Sequence, residues 1–103
     1  MTALVTHANR IVNDTSDLGR AIVTLSIEKA LIDIGKPVYT LVLDRLEADK
    51  NTIPGFYENP DYLKNVLEDL FGGESREIMK SIKGYLEEFS EQAQIRNFLS
   101  LIN

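Results

Sequence analysis

The sequence predicts an all-α protein, a single domain of about five helices whose long first helix is apolar on two sides. Apolar residues recur at spacings of three and four along most of the chain, as they do on one face of an α-helix. The chain has 103 residues, of which 44% are hydrophobic and 26% charged. These values are typical of one globular domain. Because there is no cysteine, the domain has to be held together by burial rather than by disulfides.

The first predicted helix, residues 18–34, carries apolar side chains on both sides. Successive residues of a helix lie about 100° apart, which divides the apolar residues of this segment into two groups. One side holds Leu18, Ala21, Ile22, Leu25 and Ile32, and the opposite side holds Val23, Ile27, Ala30, Leu31 and Ile34. A helix of this kind is buried on both sides. It therefore either runs through the middle of the domain or packs one side against a second subunit.

The first of these sides continues toward the N-terminus with the spacing of a coiled-coil seam, alternately four and three residues. The series is Leu4, Ala8, Ile11, Thr15, Leu18, Ile22, Leu25, Lys29 and Ile32, with Thr15 and Lys29 as polar exceptions. Residues 13–17, NDTSD, resemble a helix cap that would interrupt it. Residues 1–14 are thus either a helical continuation of the first helix or a separate segment, and residues 15–103 form the helical domain. We favour a helical N-terminus that associates with another surface.

Turn and cap signals delimit four further helices. Gly35-Lys36-Pro37 predicts a tight corner, Asn59-Pro60 a helix start, and Gly72-Gly73 a helix end. Ser75 and Ser90 are expected to cap the fourth and fifth helices. The predicted buried faces are Val38, Leu41, Val42 and Leu46; Leu63, Val66, Leu67, Leu70 and Phe71; Ile78, Ile82, Tyr85, Leu86 and Phe89; and Ile95, Phe98, Leu99 and Ile102. Gly84 marks either a close helix crossing or a tolerated glycine.

The segment 50–57, KNTIPGFY, is the longest predicted loop, because Pro54-Gly55 forces a turn and nothing nearby is periodic. Loops on a rigid frame often carry function, so Phe56 and Tyr57 are a candidate docking pair for a partner. The alternative is that they pin the loop to the core. We favour the second interpretation, since aromatic side chains in small domains mostly serve packing.

The charge pattern argues against a nucleic-acid binder without excluding one. The net charge is -5, and residues 44–73 carry seven acids against three bases. Arg76, Lys80 and Lys83 nevertheless share one side of the fourth predicted helix, and we call these three residues the basic face. A phosphate backbone is one ligand for such a face, while an ordinary solvated helix surface is the simpler interpretation.

No residue pattern predicts catalysis, a metal or a cofactor. His7 is the only histidine and has no partner at metal-ligand spacing, and no nucleophile elbow or phosphate loop is present. Neighbouring acids such as Glu87 and Glu88 point about 100° apart on a helix and do not form an acid–base pair. The longest apolar run is only a few residues and no secretory signal is recognisable, so we expect a cytoplasmic protein without a membrane partner.

Three stretches resemble a known archaeal family. They are IEKALIDIGKPVY (Ile27 to Tyr39), YENPDYLKNVLEDLFG (Tyr57 to Gly72) and SIKGYLEEF (Ser81 to Phe89). In these stretches, which lie within residues 27–89, the sequence is similar to the Nitrosopumilus output domain five family. The ENP-x-YL and LFG elements are the specific part. The resemblance implies a small helical module that acts through interactions, in some members behind signalling domains, and carries no catalytic residues.

From the residues and the resemblance together, we expect a non-enzymatic protein-interaction or signalling-output module. It would form a homodimer through Leu4, Ala8, Ile11, Leu18, Ile22, Leu25 and Ile32, and bind another protein, such as a signalling component. The alternative is a nucleic-acid-binding transcriptional regulator that uses the basic face.

Overall fold

The structure, a computed structural model, describes the backbone of residues 2–103 and the side chains of residues 17–103. It is all-α, as predicted, and no strand occurs among the described residues. Five long helices and one short helix follow in chain order: α1 (Thr2–Ile34), α2 (Lys36–Ala48), α3 (Gly55–Glu58), α4 (Pro60–Phe71), α5 (Ser75–Glu87) and α6 (Ala93–Ile102). The predicted fold class is therefore confirmed.

Helix α1 is the element around which the domain is arranged. Its 33 residues correspond to about 50 Å of helix, which accounts for most of the 55 Å long dimension of the molecule. The helix is continuous across residues 13–17, the place where the sequence also allowed a break. It packs against α5, α2, α6 and α3, and α4 in turn packs against those four helices.

The core is apolar and is contributed by every helix. From α1 it takes Val23, Ile27, Ala30 and Leu31, which are one of the two apolar sides predicted for that helix. The other helices, and Ile53 in the segment before α3, bury the side chains of Val42, Leu46, Ile53, Phe56, Leu63, Val66, Leu67, Ile78, Ile82, Leu86, Ile95, Phe98 and Ile102. The periodicity of the sequence thus placed most of the core on the correct helix faces.

The cap signals of α4 act as predicted. The Asn59 side chain accepts a hydrogen bond from the backbone N–H of Tyr62 at 3.2 Å, and Pro60 begins the helix. At the other end Gly72 has a φ of 57°, a left-handed conformation that glycine adopts without the steric penalty of a side chain. Its N–H bonds back to the Glu68 carbonyl, which closes the last turn of the helix.

The two serine caps were predicted wrongly. Residues Gly72–Glu74 form a 3₁₀ turn that runs directly into α5, so Ser75 already has helical backbone angles and lies inside the helix. After α5 the chain continues as turns, and α6 begins only at Ala93, preceded by Gln92 in an extended conformation. Instead of Ser90 capping a helix, its carbonyl accepts a hydrogen bond of 2.9 Å from the Arg96 guanidinium.

Three apolar residues predicted to face inward are exposed. Leu41 lies about one-quarter turn of helix from Val42. Of these two residues, Val42 faces the core and Leu41 faces outward. Phe89 falls beyond the end of α5, so the helical spacing that predicted its burial no longer applies there. Ile34 is the last residue of α1, where the chain turns away at Gly35.

Candidate functional site

The second apolar side of α1 lies on the surface. Leu18 is 48% exposed, Leu25 65% and Ile32 51%, although all three are large hydrophobic side chains. They are seven residues apart, so they follow one another along a single stripe of the helix. Ile22, on the same side, is partly buried against the core. We call Leu18, Ile22, Leu25 and Ile32 the α1 stripe.

A shallow groove of about 380 Å³ lies beside the α1 stripe, between α1 and the end of α5. Phe89 is 43% exposed and lines this groove together with Leu25, so it adds to the exposed apolar surface. The groove is lined by Ile22, Leu25, Ser26, Lys29, Tyr85, Glu88 and Phe89. The unburied apolar surface is therefore wider than one helix and includes a depression beside it.

Polar groups at the edge of this groove are held by contacts within the chain. The Lys29 ammonium lies 5.4 Å from the centroid of the Tyr85 ring, a cation–π distance. The Tyr85 hydroxyl donates a hydrogen bond to Asp33, which raises the pKa of Tyr85. On the other side of α1, the Tyr39 hydroxyl donates to Glu28 at 3.5 Å. These contacts fix where charge lies along the α1 stripe.

The remaining residues of the predicted self-association surface, Leu4, Ala8 and Ile11, lie on α1 but outside the described side chains, as does His7. Their role stays a prediction. What the structure adds is the helical backbone from Thr2 onward, without interruption up to the α1 stripe.

The loop aromatics are packed rather than presented to solvent. Phe56 is fully buried and its ring centroid lies 5.4 Å from that of Tyr62. Tyr57 is partly buried and stacks on Phe98 at 6.0 Å. These contacts support the interpretation that the pair pins the loop and α3 to the core. Phe56 would become accessible to a partner only if this segment opened.

The basic face is divided between two grooves. Arg76 and Lys83 line a groove of about 530 Å³ between α4 and α5, together with Lys64, which the sequence reasoning did not include. Lys80 lines a different groove, beside Glu74 and Glu77. Among the described residues, none of the three basic-face residues forms an ion pair. Two acids beside Lys80 weaken it as part of a continuous phosphate-binding surface.

An ion-pair network that the sequence did not predict links α2 to α4. The Arg45 guanidinium contacts Asp49 at 2.8 Å and Asp69 at 3.1 Å, and the Tyr62 hydroxyl donates to Asp49 at 2.5 Å. The hydrogen bond from Tyr62 and the ion pair with Arg45 lower the pKa of Asp49. Burial and the bond to Asp49 raise the pKa of Tyr62 to about 12. Only the Arg45–Asp49 spacing of four was visible in the sequence, since the other contacts depend on tertiary packing.

The described residues lack two other kinds of feature. In residues 17–103, no group of three or more histidine, cysteine, aspartate or glutamate side chains is arranged to hold a metal ion. Over the same part of the chain, no helix combines the length and the apolar character needed to cross a membrane.

Comparison with known proteins adds no family to this description. No family model matches the chain, and neither a curated protein nor a solved structure matches it. The resemblance of residues 27–89 to the archaeal output-domain family therefore stays a prediction, and the α1 stripe with its groove is the candidate site on which a function can be argued.

Proposed function

We propose that this chain is a non-enzymatic protein-interaction module that forms a homodimer through the α1 stripe. The observation that carries the proposal is the exposure of Leu18, Leu25 and Ile32 at seven-residue intervals on one side of a long helix. Monomeric soluble proteins rarely leave an extended apolar surface of this kind uncovered. A coiled-coil contact is the arrangement that this spacing fits.

The free energy gained by burying the α1 stripe is compatible with a dimer that uses more than the described residues. Burying a leucine or isoleucine completely contributes about 1.5–3 kcal/mol. Three half-exposed side chains from each of two chains then give about 5–9 kcal/mol, while association costs an estimated 4–15 kcal/mol. The α1 stripe alone roughly offsets that cost. The sequence continues the same seven-residue series to Ile11 and Leu4, which would supply the remaining stabilisation.

A regulatory or signalling-output role is the finer part of the proposal. Its support is the resemblance of residues 27–89 to a family of helical modules, some of which follow signalling domains. Most soluble oligomers are symmetric pairs of identical chains. A helix that forms such a pair would also bring together two copies of any domain attached to it. Another protein of a signalling system is thus the proposed second partner.

The nucleic-acid alternative has less support. The basic face is split between two grooves, and Glu74 and Glu77 lie beside Lys80. The chain as a whole is acidic, which opposes the approach of a phosphate backbone. We therefore keep self-association as the proposed function.

Sedimentation equilibrium on charged variants tests the proposal. Leu18→Glu with Leu25→Glu places carboxylates on the α1 stripe, where burying them in a dimer would be strongly unfavourable. The matched control, Leu41→Glu with Leu101→Glu, changes residues that are 48% and 58% exposed on other helices. Ile22 is left unchanged because it also packs on the core.

The native protein and the control are expected to sediment as dimers, and the stripe variant as a monomer with unchanged helical circular dichroism. A stripe variant that remains dimeric would refute the proposed interface. If the double variant unfolds, the single change Leu25→Gln, at the most exposed position, provides the same comparison.

A further inference from the structure

We propose that the homodimer is antiparallel, with the N-terminal half of each α1 covering the α1 stripe and the α1–α5 groove of its partner. This inference rests on the proposed self-association and adds the orientation and the segment that occupies the groove. It follows from three features: where the core-facing side of α1 ends, which side of the helix remains apolar beyond that point, and where charge lies along the α1 stripe.

The core-facing side of α1 ends near Gly19. A Cβ on that glycine would lie 2.8 Å from the Tyr57 hydroxyl and 2.9 Å from the Gln94 Cβ, so the domain closes tightly around the helix there. Eighteen residues make about five full turns, so the phase of the buried residues continues toward the N-terminus through Val5, Asn9, Val12 and Asn13, of which the two asparagines are polar. On this side the N-terminal half of α1 is therefore of mixed polarity by sequence.

The other side of α1 is apolar along the helix except at Thr15 and Lys29. By sequence, Leu4, Ala8 and Ile11 share one face of a helix, in phase with the α1 stripe. Since the backbone is helical from Thr2 to Ile34 without a break, this half cannot fold back onto the other half of the same helix. An occupant of the groove that matches this face must come from a second chain.

Charge along the α1 stripe selects the orientation. In a parallel pair in register, each Lys29 would face the partner's Lys29 in the seam. Glu28 would lie beside the partner's Asp33 at its edge, because flanking residues five apart approach each other there. Both contacts bring like charges together, which is unfavourable. The antiparallel arrangement separates both pairs and places Lys29 level with the partner's Leu4 instead.

The antiparallel register also fits the shape of the domain. It brings Leu25 level with the partner's Ala8, so that a small residue meets the position where Leu25 and Phe89 are exposed. Ile22 comes level with the partner's Ile11. The two domains then lie at opposite ends of the helix pair and do not compete for space.

Disulfide trapping tests the orientation, since the native chain has no cysteine and each introduced thiol is therefore the only one in its chain. Two single variants are made, Ala8→Cys and Leu25→Cys, and are oxidised separately and after mixing under reducing conditions. A disulfide requires Cα atoms within about 7 Å. In the antiparallel dimer identical positions 8 or 25 are about 25 Å apart, whereas position 8 faces the partner's position 25.

We expect neither variant alone to form a covalent dimer, and the mixture to form one. Sedimentation equilibrium of the same reduced samples separates the two ways of failing. A dimer in which Leu25→Cys crosslinks to itself is parallel, which overturns the orientation but keeps the α1 stripe as the interface. A dimer that never crosslinks uses another surface, which overturns both. A native monomer would overturn the proposed self-association and this inference together. If either thiol weakens the dimer, Ile11→Cys with Ile22→Cys forms an equivalent facing pair with the same expected pattern.

Discussion

Gly84→Ala should stabilise the protein, although the added methyl group makes no new contact. Gly84 lies in the interior of α5 and is exposed, and a Cβ built on it would meet no atom within 4 Å. Of the two explanations that the sequence left open, the tolerated glycine is therefore correct. Alanine in an exposed helix interior is about 0.5–1 kcal/mol more favourable than glycine, because the glycine backbone loses more freedom on folding. At roughly 4–8 °C per kcal/mol for a domain of this size, Tm should rise by about 2–8 °C.

Gly19→Ala is the matched control, since it makes the same chemical change in another helix. Its Cβ would lie 2.8 Å from the Tyr57 hydroxyl and 2.9 Å from the Gln94 Cβ, so neighbouring groups must shift. Overpacking of this kind costs about 1–3 kcal/mol, which exceeds the gain in helix propensity. Thermal unfolding followed by circular dichroism at one protein concentration compares the two variants. A lower Tm for Gly84→Ala, or a higher Tm for Gly19→Ala, would refute the described packing of α5 or α1.

Three further predictions follow from the core, the ion-pair network and the basic face. Leu67→Ala should lower the free energy of unfolding by about 2–5 kcal/mol, because Leu67 is fully buried; an unchanged urea midpoint would mean that α4 turns another face inward. Tyr62→Phe removes the largest cause of the lowered Asp49 pKa, so NMR titration should show that pKa moving up toward its ordinary value of about 3.9. The stability that Asp49 contributes is present above that ordinary pKa and is lost as pH falls through the lowered pKa. Tyr62→Phe should reduce this loss of stability in acid. An Asp49 pKa that does not move would contradict the contact between Tyr62 and Asp49. Finally, duplex DNA should bind weakly at physiological salt, and alanine at the basic face should change little; tight binding that falls steeply with salt and is lost in that variant would favour the nucleic-acid alternative.

The sequence was informative where local chemistry decides the structure. Asn59-Pro60 and Gly72 act within one or two turns of the chain, so their caps could be read directly. The spacing of apolar residues in α4 and α6 identified their buried faces, because each of these helices packs one side on the core. Ser75 was wrongly predicted as a helix cap because a 3₁₀ turn precedes it and continues directly into α5. That continuation depends on how the chain crosses from α4 to α5.

The candidate site was only half visible in the sequence. The two apolar sides of α1 could be recognised, but which of them faces the core depends on where α2 and α5 pack. The groove beside Leu25 was not predictable, since it arises from Phe89 lying past the end of α5 and remaining exposed. Lys64 likewise joins Arg76 and Lys83 only through the packing of α4 against α5.

The most direct test of the central claim, self-association through the α1 stripe, is the mass of the native protein in solution. Sedimentation equilibrium of the unmodified chain across micromolar concentrations should give twice the 11.6 kDa mass of one chain. Dilution below this range should dissociate the dimer into single chains, because non-covalent association depends on concentration. A mass of 11.6 kDa at every concentration would contradict the account, and would mean that Leu18, Leu25 and Ile32 remain on the surface of a monomer.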